Sequence, residues 1–235
     1  MHSLTTDNVV SPKEGTYFVI ALLISIPLWA ALTLLTLGFV WIALAVIGIV
    51  LWFTNGLLVA GLKSNAVAVH PHQLSRLNTA FCEVCNTLGV THRPELYIIQ
   101  SGGLLNAFAT RHSGRHFVVV YSQMLESLGP DSLEMKFLLG HEIGHIRRNH
   151  LVRRLLLGPA LFLPLIGAAY SRSCESTCDR YGVLGAGDVG ASLRAMMTLA
   201  GGKEAAQEMD PHHFAEQNRK HRGFFVSLVT TQEAS

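Results

Sequence analysis

Between Tyr17 and Leu62 the chain runs for 46 residues without an Asp, Glu, Lys or Arg. As helix, at about 1.5 Å per residue, that run would measure roughly 69 Å. A bilayer core is about 30 Å deep, so the run is too long for one straight span and suits two. Gly38 is the natural hinge, and the pattern predicts helices over Tyr17–Leu37 and Phe39–Val59 joined by a very tight turn. A cleavable secretory signal is a poor reading, because its apolar core is only about 7–15 residues and ends at a small-residue cleavage site. A hairpin buried in a soluble core is a poor reading too. The 173 residues that follow could hardly cover such helices on all sides.

A hairpin returns both ends to one side of the membrane. Lys13 precedes it, Lys63 follows it and the turn is uncharged, so the positive-inside rule predicts a cytoplasmic location for both ends. The expected organisation is a cytoplasmic N-terminal tail over 1–16, a transmembrane helical hairpin over 17–62 and a further domain over 63–235, with a membrane-apposed apolar segment at 155–169. Composition agrees: 49% of residues are hydrophobic and 14% charged, against about 25% charged in an average soluble domain. With 18 Lys plus Arg against 16 Asp plus Glu, the net charge of +2 is too balanced for a basic nucleic-acid-binding face.

Past the hairpin, Ala66–Leu88 reads as a helix. Glu95–Gln100 and His116–Tyr121 are short and β-rich, with Asn106–Thr110 between them and a tight turn at His112–Arg115. Together they predict a small antiparallel sheet of about three strands. Pro130 and Asp131 open the next helix, which should run past His150; Asp131 with Glu134 makes a capping-box pattern.

Several motifs carry little weight. Gly185-Ala-Gly187-Asp-Val-Gly190 matches a dinucleotide fingerprint, but a polar helical stretch precedes it where a strand is needed. No nucleotide is expected, and Asp188 reads as the cap of a helix over Val189–Ala200. Cys82/Cys85 and Cys174/Cys178 could form a four-thiolate site, but small half-buried helix positions explain them as well. His70, His72, His212 and His213 read as scattered surface histidines.

The informative motif is His141-Glu142-Ile143-Gly144-His145. Positions i and i+4 share a helical face, so both imidazoles can reach one ion, and neutral imidazole suits Zn²⁺. Glu142, rotated about 100° from His141, is better placed to meet a water at the ion than to join the ligands. A catalytic zinc needs a third protein ligand. His150, five residues past His145, would lie about 140° round the same helix from the site, and Leu151 stands where a longer motif would put a third His. Glu175 is the better candidate, with Asp179 four residues on and able to accept a hydrogen bond from a ligating His.

In these segments the chain resembles the HtpX-like membrane zinc metallopeptidases, a family that includes the CAAX prenyl endopeptidases. The resemblance rests on His141–His150 (HEIGHIRRNH), Ser171–Tyr181 (SRSCESTCDRY) and Asn106–Thr110 (NAFAT), and it covers roughly Ala66–Ala200 plus the hairpin. It implies one Zn²⁺ per chain on His141, His145 and Glu175, Glu142 as general base and acid, and Asp179 supporting the ligands. It implies that Asn106, Ala107, Phe108 and Ala109 contact an extended substrate at a sheet edge. It also implies protein quality control at the cell inner membrane. Two departures stand out. The prenyl endopeptidases have many more spans, so prenylated substrates are not expected. The family's His-Pro followed by Arg near the C-terminus should begin about where this sequence stops, at Thr230–Ser235, so the chain is either truncated or lacks that segment.

Leu155–Ala169 is uncharged and mostly apolar, with Pro159 and Pro164 inside it. As helix it would span only about 22 Å, and a crossing there would put Glu175 across the membrane from His141 and His145. The expectation is a broken or re-entrant segment against the bilayer or hairpin, with Arg147, Arg148, Arg153, Arg154 and Arg172 meeting anionic headgroups; a soluble helical hairpin is the plainer alternative. The fold class expected is α+β, mostly helical: a zincin-like domain with a small sheet behind a membrane hairpin. The function expected is a membrane-bound zinc endopeptidase cutting extended or misfolded polypeptides, including membrane proteins. The rivals are a non-catalytic, zinc-stabilised membrane scaffold or chaperone, and a soluble metallopeptidase with an apolar pro-segment.

Overall fold

A computed structural model of the chain describes residues 4–100, 102 and 105–220, with the side chains of 218–220 left aside. The C-terminal stretch at Thr230–Ser235 lies outside the described residues. Helix α1 (Pro12–Leu35) starts on a proline, whose missing N–H is needed by no partner in a first turn. It begins five residues before the sequence-based boundary at Tyr17. Leu37 and Gly38, both at positive φ, reverse the chain into α2 (Phe39–Asn65). Trp29 stacks on Trp41 at 5.4 Å, and Trp41 Nε1 donates to Thr33 Oγ1 at 3.1 Å, pinning the helices near the turn. Both helices are long and apolar enough to cross a bilayer, and only 11% and 6% of their most apolar windows are buried. A core helix of a soluble protein would be mostly covered.

The chain then forms β1 (Val67–Ala68), α3 (Ser75–Thr87), β2 (Glu95–Ile99), β3 (Ala107–His112) and β4 (Arg115–Tyr121). The helix expected from Ala66 thus starts only at Ser75. The sheet has four strands in the order β1-β2-β4-β3 and is mixed rather than antiparallel, because β2 and β4 run parallel with Tyr97 opposite Val119. Ser113 and Gly114, both at positive φ, close the β3–β4 hairpin in the backbone twist that short hairpin turns favour. β4 therefore lies between its hairpin partner and β2, and β3 is left as an edge.

Helices α4 (Ser122–Leu128), α5 (Leu133–Arg147), α6 (His150–Leu156), α7 (Gly158–Leu161), α8 (Pro164–Ala186), α9 (Val189–Glu208) and α10 (Pro211–Lys220) complete the described chain. The N-cap of α5 is Ser132, whose hydroxyl accepts from the Met135 N–H, not Asp131, which pairs with Arg76 at 2.7 Å. Nor does α5 run past His150: it stops at Arg147, and Asn149 at φ 49 breaks the path. Asp188 caps α9 by accepting from the Ala191 N–H, so the glycine-rich stretch is a helix–helix junction. That helix continues beyond Ala200 to Glu208 through a non-helical Gly202.

The main core sits between α3, the sheet, α5 and α8. Leu77, Val84, Val118, Val120, Leu139 and Ile143 are fully covered there. Residues 155–169 are divided among α6, α7 and the start of α8. Ser25 Oγ of α1 donates to Leu157 O at 3.0 Å and accepts from the Ala160 N–H at 3.3 Å, which satisfies the main chain where α6 breaks. Trp29 Nε1 donates to Leu156 O at 3.2 Å. On the outer side Leu155, Phe162 and Leu165 are exposed.

Candidate metal and active site

Two helices set the site, and glycine sets how close they come. A Cβ on Gly140 would stand 2.8 Å from Tyr181 O, and one on Gly144 would stand 3.1 Å from Cys178 Cα. With hydrogen there instead, α5 and α8 approach nearly backbone to backbone. Each helix then presents an i, i+4 pair to the other: His141 and His145 on α5, Glu175 and Asp179 on α8.

The pairs converge. His141 Nε2 lies 3.3 Å from His145 Nε2 and 3.4 Å from Glu175 Oε2, and His145 Nε2 lies 3.6 Å from the same oxygen. Three donors about 2.0–2.1 Å from one tetrahedral ion would stand about 3.4 Å apart, so the donor set fits a small N/O-bound divalent ion. Behind it, His141 Nδ1 lies 3.0 Å from Asp179 Oδ1. Burial works against a charge on His141, yet the hydrogen bonds to Asp179 and Glu175 raise its pKa to about 10. Burial disfavours the charge on Glu175 as well, but hydrogen bonds from the two histidines bring its pKa well below the usual carboxylate range.

Cys178 is a rival third donor, since its Sγ and one nitrogen of each histidine lie within 4.8 Å of one another. The carboxylate suits the site better. Cys178 is fully buried, burial pushes its thiol well above the usual range, and it does not line the cleft, whereas Glu175 does. Cys82, Cys85, Cys174 and Cys178 are all free, and among the described residues the two thiol pairs do not gather into a common metal cluster. His70, His72, His212 and His213 are exposed.

Glu142 is 7% exposed, and burial raises its pKa against the opposing pull of the two histidines and a hydrogen bond from the Ala109 main chain. Ala109 belongs to the edge strand. Asn106, Ala107, Phe108 and Ala109 line one wall of a cleft of about 510 Å³ whose floor is His141, Glu142, His145 and Glu175. Tyr121 N–H bonds to Asn106 O, so alternation along β3 turns the main-chain groups of Ala107, Ala109 and Arg111 outward. The Ala107 N–H is taken by Asn106 Oδ1 at 2.8 Å, and Arg111 O accepts from Asn55 Nδ2 of α2 at 2.6 Å. The outward carbonyls of Ala107 and Ala109 remain on the open part of the edge.

Four of the five arginines depart from their expected role, while Arg172 is exposed. Arg148 and Arg153 each donate to Glu14 Oε1 at 2.9 Å, and Arg147 donates to Leu88 O at 2.7 Å. Arg154 donates to Ser171 Oγ at 2.8 Å. They hold the protein together rather than reaching outward. His150 departs too. Because the chain breaks at Asn149, His150 is not 140° round the α5 helix but turns back to set its Nδ1 3.0 Å from His145 Nδ1. Sequence reasoning missed His150 as a neighbour of the site and Glu14 as a part of the fold. The available signal for Glu14 was a lone acid in the first turn of an apolar helix.

Residues 71–168 match the sequence profile of peptidase family M48. That stretch holds both histidines and Glu142 and stops before Glu175. The plastoglobule-localized metallopeptidase 48, chloroplastic, of Arabidopsis thaliana is 32% identical over 194 residues, which is 72% of this chain and 55% of that protein. The chain thus spans about half the length of the curated relative it matches. No solved structure matches it.

Proposed function

The chain belongs to peptidase family M48, and from that premise we propose that it is a membrane-bound zinc endopeptidase acting on extended or misfolded polypeptides. The observation that carries this reading is the triad of donors, His141 Nε2, His145 Nε2 and Glu175 Oε2, within 3.3–3.6 Å of one another beside a buried Glu142. Those three residues would hold the ion, and Asp179 would fix His141 with its proton on Nδ1 and its lone pair on Nε2. A zinc ion there supplies Lewis acidity, polarising a scissile carbonyl and making a water easier to deprotonate. Glu142 takes that proton and passes it to the leaving amine; its raised pKa suits a group that must both accept and give. The carbonyls of Ala107 and Ala109 accept main-chain N–H groups of a substrate laid along β3, so recognition is largely of an extended backbone. Unfolded segments offer such a backbone and folded domains do not.

The exposed apolar surface of α1, α2 and residues 155–165 faces the bilayer, so the cleft works beside it. We place the catalytic domain on the cytoplasmic side, from Lys13 and Lys63, and assign the enzyme to protein quality control at the cell inner membrane. The deciding comparison is wild type against Glu142→Gln, in detergent, with an unfolded test protein as substrate and zinc quantified in both. Wild type should cut. The variant should keep about one zinc per chain and lose about 10²–10⁴-fold in rate. Zinc in both proteins and cleavage by neither would turn the assignment to a scaffold.

A further inference from the structure

His141 and His145 are supported from behind in different ways. His141 donates its Nδ1 hydrogen to a carboxylate, Asp179, at 3.0 Å. His145 has no carboxylate there; its Nδ1 faces Nδ1 of His150 at 3.0 Å. With Nε2 of His145 turned to the metal donors, its one hydrogen lies on Nδ1, and His150 must accept it through a bare Nδ1. The hydrogen of His150 then lies on Nε2, which is buried without a hydrogen-bond partner and stands 3.5 Å from Glu14 Oε1, a polar contact longer than a made hydrogen bond. Glu14 is fully buried and His150 is 3% exposed. Two guanidiniums, Arg148 and Arg153, hold the same Glu14 oxygen at 2.9 Å. The N-terminus of α1 is seated on α8 beside it, through the Ser11 N–H to Thr177 Oγ1 at 3.1 Å.

We propose that Glu14 and His150 are positioning residues for the metal site: a Glu14–His150–His145 relay that fixes the tautomer and orientation of His145. Asp179 does for His141 directly what Glu14 does for His145 through one imidazole. Because Glu14 stands in the first turn of the membrane hairpin, docking of α1 and binding of the ion are linked. Each must strengthen the other by the same factor. The hairpin is then part of the metal site and not only an anchor. This inference rests on the zinc reading above.

The test uses the full chain in detergent and Zn²⁺ alone as probe, with affinity read by competition against a chelator and melting read on the metal-free protein. Glu14→Gln and His150→Gln should each weaken zinc binding about 10–100-fold. The double variant should be no weaker than the worse single one, because the two act in series. His150→Gln leaves the Glu14–Arg148–Arg153 cluster whole, so it decides the matter if Glu14→Gln fails to fold. Arg148→Gln, which loosens the same cluster outside the relay, should lower metal-free melting yet keep zinc affinity within about 3-fold. Zinc affinity unchanged in His150→Gln, while Glu175→Gln loses it, would overturn the relay. Wild type and Glu175→Gln binding zinc alike would instead overturn the zinc site itself.

Discussion

The hairpin and the α5–α8 pair are both built of apolar and small residues, and they use them in opposite ways. Gly48 and Gly61 of α2 meet nothing within 4 Å, and Val46, Ile47, Ile49 and Val50 around the first are exposed. Gly140 and Gly144 of α5 meet the α8 backbone, and that contact sets how near Glu175 comes to the two histidines. At the first two positions a glycine is only another uncharged residue, whereas Gly38 makes the turn and Gly56 lies against His112. At the second two it is a distance. The same composition leaves apolar surface exposed in one place and brings two helix backbones together in the other.

The contrast is broken most directly by filling the glycines. Gly144→Val should cost about 3 kcal/mol or more through overpacking and should abolish stoichiometric zinc, read by thermal unfolding in detergent and metal analysis. Gly48→Val should change melting by less than about 0.5 kcal/mol. Equal effects would mean that α5 and α8 do not need their close contact. Next in size is the ion. Zinc at a hundred times its Kd should stabilise wild type by about 2.7 kcal/mol, and a chelator should remove that increment. Glu175→Gln should show little of it. An increment kept in that variant would move the ligand role to another residue.

The contrast can be sharpened within the hairpin itself. Ser25→Ala removes its hydrogen bonds to Leu157 O and from the Ala160 N–H, two groups that still pair with each other at 2.9 Å, and should cost about 0.5–1.5 kcal/mol. Thr54 Oγ1 bonds only to its own helix at Leu51 O, so Thr54→Ala should stay within about 0.5 kcal/mol. The smallest effect is chemical. Burial pushes the thiols of Cys85 and Cys174 up to about 12, and Cys178 is raised too. Alkylation of the native protein at pH 8 should therefore label Cys82 alone, and labelling of all four would show that the α5–α8 half opens readily.

How much of this the sequence disclosed depends on how local each feature is. The hairpin was legible because forty-six uncharged residues have few other uses. The His141/His145 and Glu175/Asp179 pairs were legible because helical periodicity puts i and i+4 on one face, whatever lies around them. Strand β1 was not, since a pair of residues carries no period. The parallel pairing of β2 with β4 was hidden because it depends on which neighbour β3 leaves open. The ends of α5 were misjudged at both sides. Ser132 outcompeted Asp131 for the cap, and Asn149 took a left-handed backbone that Asn adopts at little cost. His150 could not be placed until that break was known. Glu14 could not be placed until α1 was packed on α8, because its partners, Arg148 and Arg153, lie more than 130 positions away.

Asn55 closes one end of β3 by holding Arg111 O, and Asn106 closes the other by holding the Ala107 N–H. The stretch between these stops is about five residues, or roughly 17 Å of strand. A chain laid there can register over only that length before it meets the second hairpin helix. The open edge therefore limits any main-chain pairing to one short segment, with Asn55 and Asn106 as its stops.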